Sequence, residues 1–217
     1  MTKTMKIEGI AYSHEYLWRA SSRSLVMAET NDQEQYYLLM QSLLTAYLAF
    51  EAFVNFLGEY LDPDTWKDEK EFFKQKPYHG IEGKVKRLAE KLSDFKFKKG
   101  QAPYQTIKKV GDFRNILGHG KPYPFEKEVP YKGYKSDMFE FDWDEYLSLT
   151  EVKRGREAIK KFCESLRSAA YVISKNGQEP CLEDMRKLHL HHKAFEGPLA
   201  LSNGATKKKN GFPPARE

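Results

Sequence analysis

The residues best suited to chemistry lie close together in residues 113–120, which read FRNILGHG. Arg114 could grip a phosphate in a bidentate fork and stabilise the charge that develops on it during reaction. His119 could act as a general acid or base, a role for which histidine is the most common side chain. Because RNA supplies its own nucleophile, the 2′-hydroxyl, such a pair requires neither a metal ion nor a covalent residue. An Arg-x4-His spacing alone is a weak signal, since many helices contain one by chance.

The geometry of a helix separates these two side chains. Five residues correspond to a rotation of about 140°, so Arg114 and His119 would not share a face of a regular helix. Gly118 and Gly120 flank His119, and we expect them to free the backbone so that His119 folds back toward the last turn. Asn115 lies four residues before His119 and is expected to orient the imidazole through a hydrogen bond.

Glu51 is the expected partner of Arg114. It is the only charged residue between Gln35 and Gly58, and a guanidinium beside an apolar stripe needs an anionic or carbonyl partner. Asn55 lies one turn after Glu51 on the same face and is assigned a supporting role. A structural ion pair between Glu51 and Arg114 would not conflict with a catalytic role for the arginine.

The positive charge is spread unevenly over a chain with 36 Lys+Arg and 31 Asp+Glu. Residues 95–111 hold five lysines and no acid, which is one footprint of a phosphate-bearing partner. A solvated lysine face is the ordinary alternative explanation. The candidate RNA contacts are Lys108, Lys109, Lys121 and Tyr123, the tyrosine being able to stack on a base.

The periodicity of apolar residues predicts an all-α bundle of four to five main helices. The predicted helices span 12–29, 31–61 (with Asn31 or Asp32 as N-cap), 81–93, 103–120 and 143–174. Residues 65–80 are expected to form a surface connection with one short helix at most, and residues 121–142 a loop or small hairpin. We divide the chain into a helical domain (1–175), a short helical extension with a helix at 180–195 (176–200) and a disordered tail (201–217).

Composition excludes several other classes of protein. Cys163 and Cys181 form no CxxC pair, and the histidines at 189–192 have no ligand at matching spacing, so no metal or cofactor is expected. Residues 35–58 are long enough to span a bilayer, but their polar residues favour a helix buried in a soluble bundle and no membrane partner. Without an apolar signal-peptide core, a cytoplasmic location is expected. His14 and His79 are predicted to be surface or capping residues.

The sequence resembles the HEPN family of all-α proteins. The resemblance rests on the pattern Arg114-Asn115-x-x-x-His119 and on residues 42–61, SLLTAYLAFEAFVNFLGEYL, which look like the long helix of that family. The helix IEGKVKRLAEKL, at 81–92, also fits. As an order of helices, the resemblance covers roughly residues 10–175. The Arg-x4-His pattern is its most specific part.

The resemblance implies a metal-independent endoribonuclease acting as a homodimer, with RNA as substrate and two motif helices lining one basic cleft. It implies that His119 is the acid or base, that Arg114 binds the scissile phosphate, that Asn115 orients His119 or the RNA backbone, and that Glu51 holds Arg114. Such proteins are often bacterial toxins or phage-defence effectors, so an antitoxin or regulatory partner is possible.

The sequence departs from one related pattern, and other functions stay open. Family members with Arg-x4-His-x-Tyr carry a tyrosine that a partner enzyme modifies, whereas position 121 here is Lys, with Tyr at 123. The main alternative is a non-catalytic HEPN-like module that binds nucleic acid, nucleotide or a partner protein. A plain helical scaffold, in which Arg114 and His119 are structural, is the third.

Overall fold

The computed structural model describes residues 12–120, 141 and 143–175, and these residues form helices and turns without a strand. The all-α prediction is therefore confirmed. The helices are α1 (Ser13–Ala28), α2 (Gln35–Leu61), α3 (Pro63–Lys67), α4 (Glu69–Phe72), α5 (Gly80–Lys91), α6 (Tyr104–His119) and α7 (Leu149–Lys175), with a 3-10 turn at Asp144–Tyr146 before α7.

Helix α2 is the centre of the bundle and packs against α1, α3, α5, α6 and α7. Its buried residues recur at three and four positions, which gives one continuous apolar face along the helix. That face is inaccessible to solvent at Leu43, Phe50, Val54 and Leu57. Phe50 also meets Phe162 of α7 edge to face, with ring centroids 5.9 Å apart. The central helix thus fixes the positions of the elements on either side of it.

Small polar residues allow α1 to approach α2 closely. Ser21 Oγ donates to the Ser42 carbonyl at 2.6 Å, and Ser42 Oγ donates back to the Ser21 carbonyl at 2.9 Å. These reciprocal bonds satisfy two buried hydroxyls at the crossing point. His14, near the start of α1, is also buried and packs against the rings of Phe53 and Phe56. The prediction of a surface or capping role for His14 is therefore wrong.

The connection between α2 and α5 contributes to the core more than its composition suggests. It forms two short helices rather than one at most, and both Trp66 and Phe73 are buried. Trp66 lies directly over Gly58 of α2, where a Cβ would stand 1.8 Å from the ring. A charged segment is thereby attached to α2 through Trp66, and Phe73 packs against the Trp66 ring with centroids 4.9 Å apart.

Two predicted helix starts were too early. Asn31 Oδ1 accepts from the Glu34 amide within a turn, so α2 begins at Gln35 rather than at 32 or 33. Ser148 Oγ accepts from the Glu151 amide at 3.1 Å, a side-chain cap that sets the start of α7 after the 3-10 turn.

Three predicted segments lie outside the described residues: the loop or hairpin at 121–142 (apart from Phe141), the helix at 180–195 and the tail at 201–217.

Among the described residues, one helix is long and apolar enough to cross a membrane. It is α2, whose most apolar window has a mean hydropathy of 1.4 and is half buried inside the bundle. Core helices of soluble proteins meet the same criteria of length and composition. The packing of α2 against five other helices is what the core-helix interpretation expects.

Candidate functional site

Helix α6 carries the motif, and it remains regular to its last residue. Gly118 is helical, and the helix ends only after His119, where Gly120 takes a left-handed conformation with φ of 54°. The expectation that His119 folds back toward the preceding turn is therefore wrong. One glycine at the C-cap position is enough to end the helix, and His119 is left exposed on its final turn.

Arg114 is held by two neighbours. Its Nη2 lies 3.2 Å from Glu51 Oε2, which confirms the predicted pairing of these two residues. Its Nη1 donates to Asn115 Oδ1 at 3.0 Å. Two of the five guanidinium N–H donors are thus used, and the side chain keeps 38% of its surface exposed. Within the part of the chain that the structure describes, the remaining donors have no partner and are available to an anionic ligand.

Asn115 contacts the arginine rather than the histidine. Among the described residues no hydrogen bond joins Asn115 to His119, so the expected orientation of the imidazole by this amide is not found. The amide oxygen of Asn115 accepts from the Arg114 guanidinium instead, and His119 is exposed on the last turn. In this structure Asn115 is a neighbour that positions Arg114.

The carboxylate of Glu51 lies in a partly desolvated position between two cations. Burial raises the pKa of Glu51, and the nearby charges of Arg114 and Lys84 oppose that rise. Lys84 Nζ donates to Asn55 Oδ1 at 2.8 Å and pairs with Glu69. Asn55 therefore supports Lys84 of α5 and not Arg114 directly. Sequence analysis missed Lys84, because its contact depends on how α5 packs on α2.

A groove at the end of α6 brings the motif together. It has a volume of about 410 Å³ and is lined by Arg114, Asn115, Gly118 and His119, with Leu44, Leu48 and Leu117 on its apolar side. Because the groove crosses the last turn of α6, both Arg114 and His119 line it, although a helical rotation of about 140° separates the two side chains. We call it the motif groove.

A second groove lies on the other side of Arg114. It has a volume of about 520 Å³ and runs between α2, α6 and the start of α5. Arg114 and Asn115 line both grooves and form the ridge between them. His79, which precedes α5 at its N-cap position, lines this second groove and is exposed there. Its surface or capping role was predicted, but the groove was not.

The predicted RNA-contacting lysines separate in the structure. Lys108 is exposed and lines the second groove. Lys109 is exposed on another side of α6, beside a small cavity of about 70 Å³ that includes Glu145 and Glu151. Lys121 and Tyr123 lie outside the described residues. Of the two candidates within the described residues, Lys108 shares a groove with Arg114 and Lys109 does not.

Within residues 12–120 and 143–175, the other titratable residues form neither a metal site nor a reactive cysteine. The described residues contain no group of His, Cys, Asp and Glu side chains arranged to hold a metal ion. Cys163 is buried in the core, and burial raises the pKa of its thiol. It packs in the core as predicted.

The chain was compared with protein-family models, with curated proteins and with solved structures, and none of the three comparisons finds a match.

Proposed function

We propose that this chain is a metal-independent endoribonuclease of the HEPN type, with Arg114 and His119 as its catalytic residues. The observation that carries the proposal is that Arg114, Asn115 and His119 open onto one groove at the end of one helix. The arginine is anchored by Glu51 but keeps free donors, and the histidine is exposed to solvent. A phosphate in the motif groove would meet a fixed cation and a group that transfers protons near neutral pH.

The reaction follows from these groups. A histidine takes the proton of the 2′-hydroxyl, whose oxygen attacks the adjacent phosphorus while the bond from phosphorus to the 5′-oxygen breaks. A second acid protonates the leaving 5′-oxygen. Arg114 neutralises the charge on the phosphate oxygens as the five-coordinate state forms. The products are a 2′,3′-cyclic phosphate and a 5′-hydroxyl, and no metal ion takes part.

A homodimer would supply the second acid. One chain offers one motif histidine, whereas this reaction uses both a base and an acid. Beside His119 the surface is apolar: Leu48 lines the motif groove with 37% of its surface exposed, and the neighbouring Ile116 is 40% exposed. We call Leu48 and Ile116 the apolar strip. A second copy packed on the apolar strip would bury it and bring its own Arg114 and His119 to the same cleft.

The proposal is tested by incubating mixed RNA with the purified protein in EDTA, together with the His119→Ala and Lys161→Ala proteins. Lys161 is exposed on α7 and lines neither groove. We expect wild type and Lys161→Ala to cut RNA and His119→Ala to be at least 100-fold slower. Equal cleavage by His119→Ala would refute the assignment. RNA that is retarded in a gel shift but recovered intact with all three proteins would instead support a non-catalytic RNA-binding module.

A further inference from the structure

The second groove has the dimensions and floor of a site for a planar ligand. Its volume of about 520 Å³ falls within the range of small-molecule sites, roughly 300–1,000 Å³. Tyr47, Phe50, Tyr104 and Ile107 line it, and all four are buried. Gly111 of α6 also lines it, with a Cβ position only 2.7 Å from Tyr47 Oη, so α6 lies close against the tyrosine there. The floor is thus apolar and aromatic.

The carboxylates around this groove are not equivalent. Glu51 is paired with Arg114, and Glu82 is paired with Lys99 at 2.6 Å. Asp112 also lines the groove, is exposed and has no ion pair within the described part of the chain. It is therefore the carboxylate in this groove whose two oxygens are open to a ligand.

Asp112 lies on the same face of α6 as Asn115 and His119 of the motif. Lys108, Asp112, Asn115 and His119 succeed each other at spacings of four, three and four residues, which places them on one face of α6, and all four are exposed. A ligand whose phosphate lies on the Arg114 ridge would extend into the second groove past Asp112. Lys108 and His79 lie along the same groove, where they can donate to further phosphate or sugar oxygens.

We infer that the second groove binds the guanine base of the nucleotide whose phosphate contacts Arg114. A free carboxylate offers two acceptors and no donor. Guanine presents two adjacent donors, N1–H and the N2 amino group, which pair with both carboxylate oxygens. Adenine, cytosine and uracil each place an acceptor beside their donor on that edge, and a carboxylate repels it. The inference deepens the proposed ribonuclease function and rests on it for the choice of an RNA nucleotide as ligand.

The test is calorimetric titration of the intact protein with the 3′-monophosphates of guanosine, adenosine, inosine and uridine. We expect the guanosine nucleotide to bind about tenfold more tightly than the adenosine nucleotide. Inosine, which lacks the N2 amino group, should fall between them. Asp112→Asn should remove the preference, whereas Asp94→Asn, at an exposed acid outside the groove, should retain it. Equal affinity for all four nucleotides in wild type, or a preference that survives Asp112→Asn, would overturn the inference.

Cleavage assays separate this inference from the ribonuclease proposal. Wild type should cut an oligoadenylate containing one central guanosine faster than oligoadenylate alone. Cleavage of both at the same rate would overturn the guanine site and leave the ribonuclease standing. A clear guanosine preference in the titration without cleavage of any RNA would leave the guanine site standing and contradict the proposed reaction.

Discussion

Arg114 Nη2 lies 3.2 Å from Glu51 Oε2, and this contact joins α6 to α2 at the ridge between the two grooves. Both side chains are partly exposed, 38% for Arg114 and 26% for Glu51. An ion pair with this exposure contributes little to stability, about 0–1 kcal/mol. Its main effect is geometric, because it fixes the direction of a guanidinium whose other donors remain free.

Replacing Glu51 by Gln should therefore lower activity more than stability. The amide keeps the shape of the side chain but removes the charge that orients Arg114. We expect RNA cleavage to fall about tenfold while the free energy of unfolding at neutral pH stays within about 1 kcal/mol of wild type. Cleavage rates and urea denaturation of the same preparations measure both quantities. Full activity in Glu51→Gln would show that the arginine does not depend on this anchor.

The stability of Glu51→Gln should also differ from wild type in its pH dependence. Burial raises the pKa of Glu51 above its ordinary value of 4.5, so the folded chain holds this proton more tightly than the unfolded chain. The tighter proton binding by Glu51 contributes to the free energy of unfolding. This contribution is complete below the ordinary pKa of Glu51 and is lost as pH rises through its raised pKa. The unfolding free energy of wild type should thus decline relative to that of Glu51→Gln as the pH rises above 4.5. An opposite slope would mean that Arg114 and Lys84 outweigh burial.

Two glycines of α6 should respond oppositely to alanine. Gly118 is helical and has open space around its Cβ position, so Gly118→Ala should stabilise the fold by about 0.5–1 kcal/mol. At Gly111 an added Cβ would stand 2.7 Å from Tyr47 Oη, and Gly111→Ala should cost about 1–3 kcal/mol. Thermal unfolding measures both. Destabilisation by Gly118→Ala would indicate that the helix breaks before His119 after all.

The pairing of Glu51 with Arg114 could be predicted from sequence because a lone acid in a long apolar stretch needs a cation. The hydrogen bond predicted between Asn115 and His119 is not found in the described part of the chain. Local spacing allowed a bond between them, but the helix continues to its C-cap at Gly120 and the amide faces the guanidinium instead. The second groove could not be predicted, since its walls come from three helices whose packing no single pattern encodes.

The buried Arg156 was another residue that sequence reasoning missed. Its guanidinium carbon lies 4.4 Å from the centre of the Trp18 ring, it donates to the hydroxyls of Ser21 and Ser22, and burial lowers its pKa to about 10. Both hydroxyls also donate to backbone carbonyls, so they stay satisfied if the arginine is removed. Arg156 thus occupies a buried position of α7, where an apolar side chain is usual.

We therefore expect Arg156→Met to be more stable than Arg156→Ala by at least about 1 kcal/mol. Methionine fills the volume beside Trp18 without a buried charge, whereas alanine leaves a cavity. Chemical denaturation of the two variants gives the difference directly. If Arg156→Met is the less stable of the two, filling the space beside Trp18 does not stabilise the fold and the cavity explanation is wrong.

The apolar strip beside the motif groove predicts the behaviour of a charged variant. Leu48→Glu places a carboxylate on the surface proposed to meet a second copy, so this variant should sediment as a monomer and lose cleavage. Val26→Glu is the matched control, since Val26 is 43% exposed on α1 and lies outside both grooves. Sedimentation at micromolar concentration, with circular dichroism to verify folding, provides the comparison. A wild type that is itself monomeric and active would contradict the composite site.

The ends of the RNA fragments produced in EDTA test the proposed reaction most directly. We expect 2′,3′-cyclic phosphate and 5′-hydroxyl ends from wild type, and at least 100-fold fewer of them from His119→Ala. Ends of the opposite kind, a 3′-hydroxyl with a 5′-phosphate, would contradict attack by the 2′-hydroxyl. Cyclic ends that persist undiminished in His119→Ala would contradict the role of this histidine.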